Sequence, residues 1–203
     1  MTSYDVLAQL QLGHTGGVAA VAFSPSGTYL ATGGLDSKVC VWTLSNQKLY
    51  HIFGGSEPVL SLAWLPNRED TLICGSQDGA ICVLRVSPSI SSAQDSLDKR
   101  FPVEHLAMRG VHLAAGAQQE LTIWKHEKYG QTWRRVIDLP EPPKTSHNER
   151  REILVTSIHW TKTRSHRSML LVTYMHHGVF GLEFDLNVSA QWLYTQTEFL
   201  PLP

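Results

Sequence analysis

Short apolar stretches separated by turn residues recur along the whole chain. Val18 to Phe23 is followed by the turn Ser24-Pro25-Ser26-Gly27, then by Leu30-Ala31-Thr32-Gly33-Gly34, Val39-Cys40-Val41-Trp42 and Lys48 to Phe53. Runs of this length with turn signals every 8–12 residues predict β-strands. The first unit is therefore expected to use Val18 to Ser24, Thr28 to Gly33, Lys38 to Thr43 and Lys48 to Phe53. About forty residues on, a weaker copy runs from Gly54-Gly55 through Val59 to Trp64, Leu72 to Gly75, Asp78-Gly79 and Ile81 to Leu84. A repeat of that period predicts units that bury their faces against one another.

Two further units are fainter. The third reads Val103 to Ala107, Leu113 to Gln119 and Leu121 to Trp124, with an outer strand over Thr132 to Leu139. The fourth reads Ile153 to Trp160, Met169 to Met175 and Val179 to Phe184, with a last strand near Gln191 to Gln196. Serine crowds the stretch between Val86 and Phe101, which is expected to hold a weak outer strand and a loop. Pro140, Pro142 and Pro143 mark a second loop, extended and exposed, running to Arg151.

The first unit resembles the repeat of the WD-repeat β-propeller family, from its Gly13-His14 opening to its Val41-Trp42 close. Thr43 stands where the family signature ends in Asp. The resemblance implies an all-β chain, a β-propeller of four-stranded antiparallel blades. About four blades are present, over roughly 13–53, 54–100, 101–139 and 151–197. Residues 1–12 would supply an outer closing strand, centred on Tyr4 to Leu10. It further implies a buried tetrad of His14, Thr32, Asp36 and Trp42. An indole only donates, a hydroxyl donates and accepts, a neutral imidazole does one at each nitrogen, and a carboxylate only accepts. The series Trp42 to Thr32 to His14 to Asp36 thus satisfies every member.

In the second unit Gly55, Cys74 and Leu84 replace His, hydroxyl and Trp, while Asp78 keeps the turn. The third retains Trp124, but Ala115 and Gln119 replace the hydroxyl and the Asp. In the fourth, alignment of His177-Gly178 with Asp78-Gly79 puts His177 at the turn Asp and Thr173 at the hydroxyl.

The composition is 42% hydrophobic and 17% charged with a net charge of −1, which by itself points to neither nucleic acid nor membrane. Cys40, Cys74 and Cys82 lie in strand patterns and read as small buried side chains. They fit a reducing compartment, cytoplasmic or alternatively nuclear. No nucleophile elbow, phosphate loop, dinucleotide fingerprint or paired-Cys spacing appears. An enzyme is thus a remote alternative, and no cofactor, metal or small-molecule substrate is expected. His147, His159, His166, His176 and His177 read as surface or turn residues.

The resemblance implies a platform for partner proteins or peptides, bound on the narrow face of the propeller. On that face it points to Leu35, Gln77, Gln118 and His176, the residues before each turn Asp. It also points to Gly17 and Pro58, with Glu57 beside them, in the loops entering the innermost strands. Arg150 and Arg151 of the proline-led loop are expected on the same side. The competing expectation is an RNA-associated propeller subunit using the basic loops 144–151 and 162–167. Because family propellers usually have about seven blades, the chain is expected to be the first part of a larger ring, or to be completed by another chain through its open edges.

Overall fold

The computed structural model describes residues 9–86, 93–127, 132–139, 141–142 and 149–184. They form four antiparallel sheets. Blade 1 is β1 (Val18–Phe23), β2 (Tyr29–Gly34), β3 (Lys38–Thr43) and β4 (Lys48–Gly54), paired in that order. Blade 2 is β5 (Val59–Trp64), β6 (Thr71–Ser76), β7 (Ala80–Arg85) and β8 (Ala93–Asp98). Blade 3 is β9 (His105–Arg109), β10 (His112–Ala117), β11 (Glu120–His126) and β12 (Trp133–Asp138). Blade 4 comprises β13 (Val155–Lys162), β14 (Ser168–Tyr174) and β15 (Gly178–Phe184). The serine-rich stretch does contain the expected outer strand, β8. The expected last strand near Gln191 to Gln196 lies outside the described residues, as does most of the proposed closing strand; Gln9 and Leu10 are not in a strand.

The first strands β1, β5, β9 and β13 touch in succession, so the blades stack in chain order as an arc. Strand alternation divides each blade into two apolar faces. Ala31, Val39 and Val41 of blade 1 pack on Leu62, Trp64, Leu72, Cys74 and Leu84 of blade 2. The other face of blade 2, with Ile73, Ile81 and Val83, meets Leu113, Ala115 and Ala117 of blade 3. Ala114, Leu121 and Ile123 then meet Val155, Leu170, Val172 and Leu182 of blade 4. Each buried Leu, Ile or Val contributes roughly 1.5–3 kcal/mol by leaving water. At the start of the arc, the face of blade 1 turned away from blade 2 leaves Val21, Phe23 and Ile52 exposed at 59%, 64% and 42%.

Two devices recur between blades. Trp64 Nε1 donates to the Ala22 carbonyl at 3.0 Å, and Trp160 Nε1 donates to the Ala107 carbonyl at 3.1 Å. Each ties the first strand of one blade to that of the blade before. A glycine near the end of each second strand also admits a valine of the next blade. A Cβ on Gly33 would lie 2.6 Å from Val59 Cγ1, on Gly75 2.5 Å from Val103 Cγ1, and on Gly116 3.0 Å from Val155 Cγ1.

Blade 4 departs from the sequence alignment by one residue. Its hairpin pairs Tyr174 with Gly178, and the His177 amide bonds the Tyr174 carbonyl, as the Gly79 amide bonds that of Ser76. Met175, not His176, therefore occupies the rim position of Leu35 and Gln77, and His176, not His177, occupies that of the turn Asp. The hydroxyl position falls on buried Val172, whereas Thr173 faces the opposite side and accepts a bond from Ser157 at 2.9 Å. His177-Gly178 and Asp78-Gly79 look alike in sequence but differ in place, because Gly178 begins a strand, as Ala80 does. Blade 3 has a shorter two-residue turn, Gln118-Gln119, which leaves no separate turn-Asp position.

Candidate functional site

The tetrad is assembled on the face of blade 1 turned away from blade 2. Thr32 on β2 and Cys40 on β3 are paired residues, and Trp42 follows two along on the same face. Trp42 Nε1 donates to Thr32 Oγ1 at 3.0 Å, and Thr32 Oγ1 lies 2.8 Å from His14 Nε2. His14 Nδ1 lies 2.9 Å from Asp36 Oδ1. A carboxylate accepts only, so Nδ1 carries the proton and Nε2 accepts from Thr32. The second Asp36 oxygen accepts from the Thr15 amide at 2.7 Å and the Thr15 hydroxyl at 3.2 Å. The neighbourhood is closely filled: a Cβ on Gly34 would lie 2.4 Å from His14 Nδ1, and one on Gly13 2.5 Å from Trp42 Cζ2.

Burial pushes the Asp36 carboxyl upward in pKa, but the Thr15 amide and the His14 imidazole outweigh it and hold it well below the usual carboxylate range. Because the folded value lies below the unfolded value of about 3.9, the group adds stability above the unfolded pKa and loses it as pH falls through the folded one. The urea midpoint of the wild type is therefore expected to drop between about pH 5 and pH 2 more steeply than that of Asp36→Asn. Parallel pH profiles would refute this.

Blades 2 and 3 show what loss of the tetrad does. In blade 3 Ala115 replaces the hydroxyl, and buried Trp124 Nε1 has no hydrogen-bond partner among the described residues. A buried donor left so costs about 1–3 kcal/mol. Ala115→Ser is expected to return an acceptor and raise the unfolding free energy by about 1 kcal/mol. No gain in a urea melt would show that the hydroxyl cannot reach the indole. In blade 2, Asp78 keeps the turn by accepting from Ser76 Oγ at 2.5 Å and the Ala80 amide at 3.1 Å, both on Oδ1.

A second buried network, with no motif to mark it in the sequence, joins blades 2 and 3. The Lys99 ammonium, with its side chain 3% exposed, donates to Thr122 Oγ1 and lies 3.6 Å from Glu120 Oε2. Thr122 donates in turn to Asp138 Oδ1 at 2.8 Å, which also receives Arg135 Nε at 3.0 Å. Burial pushes the Lys99 pKa down, against the opposing pull of Glu120 and Asp138. One signal was present: Thr122 is a polar residue at the register position that Cys40 and Cys82 hold in blades 1 and 2.

The expected narrow-face residues gather in pairs. The Leu35 amide bonds the Gly17 carbonyl at 2.8 Å, the Gln77 amide that of Pro58 at 2.9 Å, and the Met175 amide that of Leu154 at 2.8 Å. Loop and hairpin tip thus meet at the same rim in blades 1, 2 and 4. Leu35 is 54% exposed and Met175 45%, while Gln77, His176, Gly17 and Glu57 are exposed and Gln118 and Pro58 half-buried. Gln118 instead offers its carbonyl to the Val155 amide. Arg150 and Arg151 are exposed, four to five residues before β13.

Comparison with known proteins agrees with this geometry. Residues 6–43 and 47–84 match the family described as WD domain, G-beta repeat. Blades 1 and 2 thus carry two WD repeats. The chain is 37% identical over 98 residues to the ribosome biogenesis protein erb1 of Aspergillus niger, covering 46% of this chain and 12% of that one. Against ribosome biogenesis protein ERB1 of Chaetomium thermophilum the identity is 35% over 91 residues, or 43% and 11% of the two chains. The match thus spans only about an eighth of those relatives. The β-propeller domain of Cps50 (Swd1) from Myceliophteria thermophila superposes with a TM-score of 0.66 at 20% identity, over 84% of this chain and 53% of that one. That likeness establishes the propeller fold alone.

Proposed function

We propose that this WD-repeat chain is a non-catalytic scaffold that binds partner proteins or peptides at the rim formed by the hairpin tips of blades 1, 2 and 4. The observation that carries the reading is the division of labour among polar groups. His14, Thr32 and Asp36 are saturated by structural bonds, whereas Leu35, Gln77 and Met175 stand in equivalent, outward positions on successive tips. A solvent-facing leucine at such a rim suits an apolar anchor of a partner. Likeness to ribosome biogenesis proteins favours a partner within ribosome assembly, and the nuclear alternative over a cytoplasmic location.

Leu35→Asp, and separately the pair Arg150→Glu with Arg151→Glu, are expected to reduce co-purification of partner proteins about tenfold with no change in the urea midpoint. Identical co-purifying proteins from both variants would reject this rim. The RNA-associated reading draws on the same relatives and on exposed Arg150, Arg151 and Arg164. The eight-residue strand β13 lies between Arg151 and Arg164 and sets them at opposite ends of blade 4, which disfavours one phosphate track through the described arginines.

A further inference from the structure

The loss of the tetrad in blade 2 shapes a cavity of about 190 Å³ between blades 1 and 2. The registers make its origin explicit. Gly55, Cys74 and Leu84 hold the positions that His14, Thr32 and Trp42 hold in blade 1, and Asp78 holds that of Asp36. Where blade 1 places an imidazole and an indole, blade 2 places no side chain and a leucine. Val39 and Phe53 of blade 1 close the opposite wall. For scale, an engineered apolar cavity of about 150 Å³ admits benzene.

The lining defines the chemistry. Val39, Phe53, Val59 and Leu84 provide apolar contact, and the thiols of Cys74 and Cys82, directly opposed across β6 and β7, form the floor. Hydrogen bonding to Cys82 and burial push the Cys74 pKa up, so that thiol is neutral. Glu57 and Asp78 also border the cavity, and Ser76 and Ala80 already hold Asp78 as a carboxylate. Ionised carboxylates only accept hydrogen bonds. A ring that fills the site and donates a hydrogen bond to the second oxygen of exposed Asp78 would stand in the place that His14 takes beside Asp36.

We propose that this cavity binds a small planar nitrogen heteroaromatic molecule with an N–H donor, of the imidazole, benzimidazole or indole class. The apolar walls take the ring, and the carboxylates bordering the cavity take the N–H. This site lies between blades 1 and 2 and borders the rim assigned to partner proteins at Glu57 and Asp78, but Leu35, Gln77 and Met175 do not line it.

The probe is benzimidazole, titrated into the full chain and followed by saturation-transfer NMR. Binding is expected with a dissociation constant of about 1 mM or tighter, in line with a ligand of that size. Indene, which has the shape without the N–H, and the Asp78→Asn variant should each weaken binding at least about fivefold. Leu84→Trp places an indole in the cavity from within and should weaken it at least about tenfold. Cys82→Leu, a smaller filling change, serves the same purpose if Leu84→Trp fails to fold. Absence of saturation transfer with the wild type would overturn the proposal, as would undiminished binding by a folded filling variant. Equal affinity for indene would overturn the role of the carboxylates.

Discussion

His14→Leu is expected to lower the unfolding free energy by about 3 kcal/mol, read as a fall in the urea midpoint with tryptophan fluorescence. Leucine approximates the volume of imidazole but offers no polar atom. Asp36 would keep its bonds from Thr15 and lose the one from His14, leaving Oδ1 largely buried without that partner. Thr32 would lose its 2.8 Å acceptor and be left with the Cys40 carbonyl at 3.4 Å, a longer and weaker bond. The Trp42 donor would persist, so the damage concentrates at the charged end of the series. Thr32→Val should cost somewhat less, about 2 kcal/mol, since it strands neutral groups on either side. By contrast Cys74→Val, at the equivalent position of blade 2, removes no polar series and should cost less than about 1 kcal/mol. Equal losses at His14, Thr32 and Cys74 would mean that the tetrad stabilises blade 1 no more than ordinary packing does.

That contrast also shows what the sequence made legible. The tetrad was readable through the family resemblance, whose four polar positions fall on His14, Thr32, Asp36 and Trp42, and the donors and acceptors of those residues fit in series. Blade 2 was readable through its spacing, since Asp78-Gly79 kept the hairpin after the polar residues had gone. Blade 4 was misread by one position because its turn carries two adjacent histidines before Gly178, and nothing local says which of them follows the strand. Period-two alternation then carried the slip inward, exchanging Thr173 for Val172 as the inward residue. The Lys99 network was hidden for another reason. Its members come from β11, β12 and a serine-rich stretch, and lysine in such a stretch carries no mark of burial. The Trp64 and Trp160 clasps were likewise invisible, because they join two blades and the repeat pattern describes a single unit.

Gly75→Ala tests the stacking of blades directly. The added Cβ would stand 2.5 Å from both Val103 Cγ1 and Ser61 Oγ, and 2.7 Å from Val103 Cβ. None of these is the free end of a flexible side chain. Val103 is fully buried, and Ser61 Oγ donates to the Val103 carbonyl at 2.7 Å, so a shift of either disturbs the bond that links β5 to the start of blade 3. Relief therefore requires the two blades to move apart, which opens the cluster around Ile73, Leu113 and Ala115. Alanine would ordinarily favour the folded state over glycine by limiting the unfolded chain, by about 0.4–1 kcal/mol. Overpacking should exceed that gain, giving a net loss of about 2 kcal/mol in the urea melt. Gly116→Ala supplies the graded comparison, because its Cβ would meet Val155 Cγ1 at 3.0 Å rather than 2.5 Å and should cost less. A neutral or stabilising Gly75→Ala would show that the blades of this arc are joined loosely enough to absorb a methyl group. The glycine–valine contacts would then be a by-product of close strands rather than their cause.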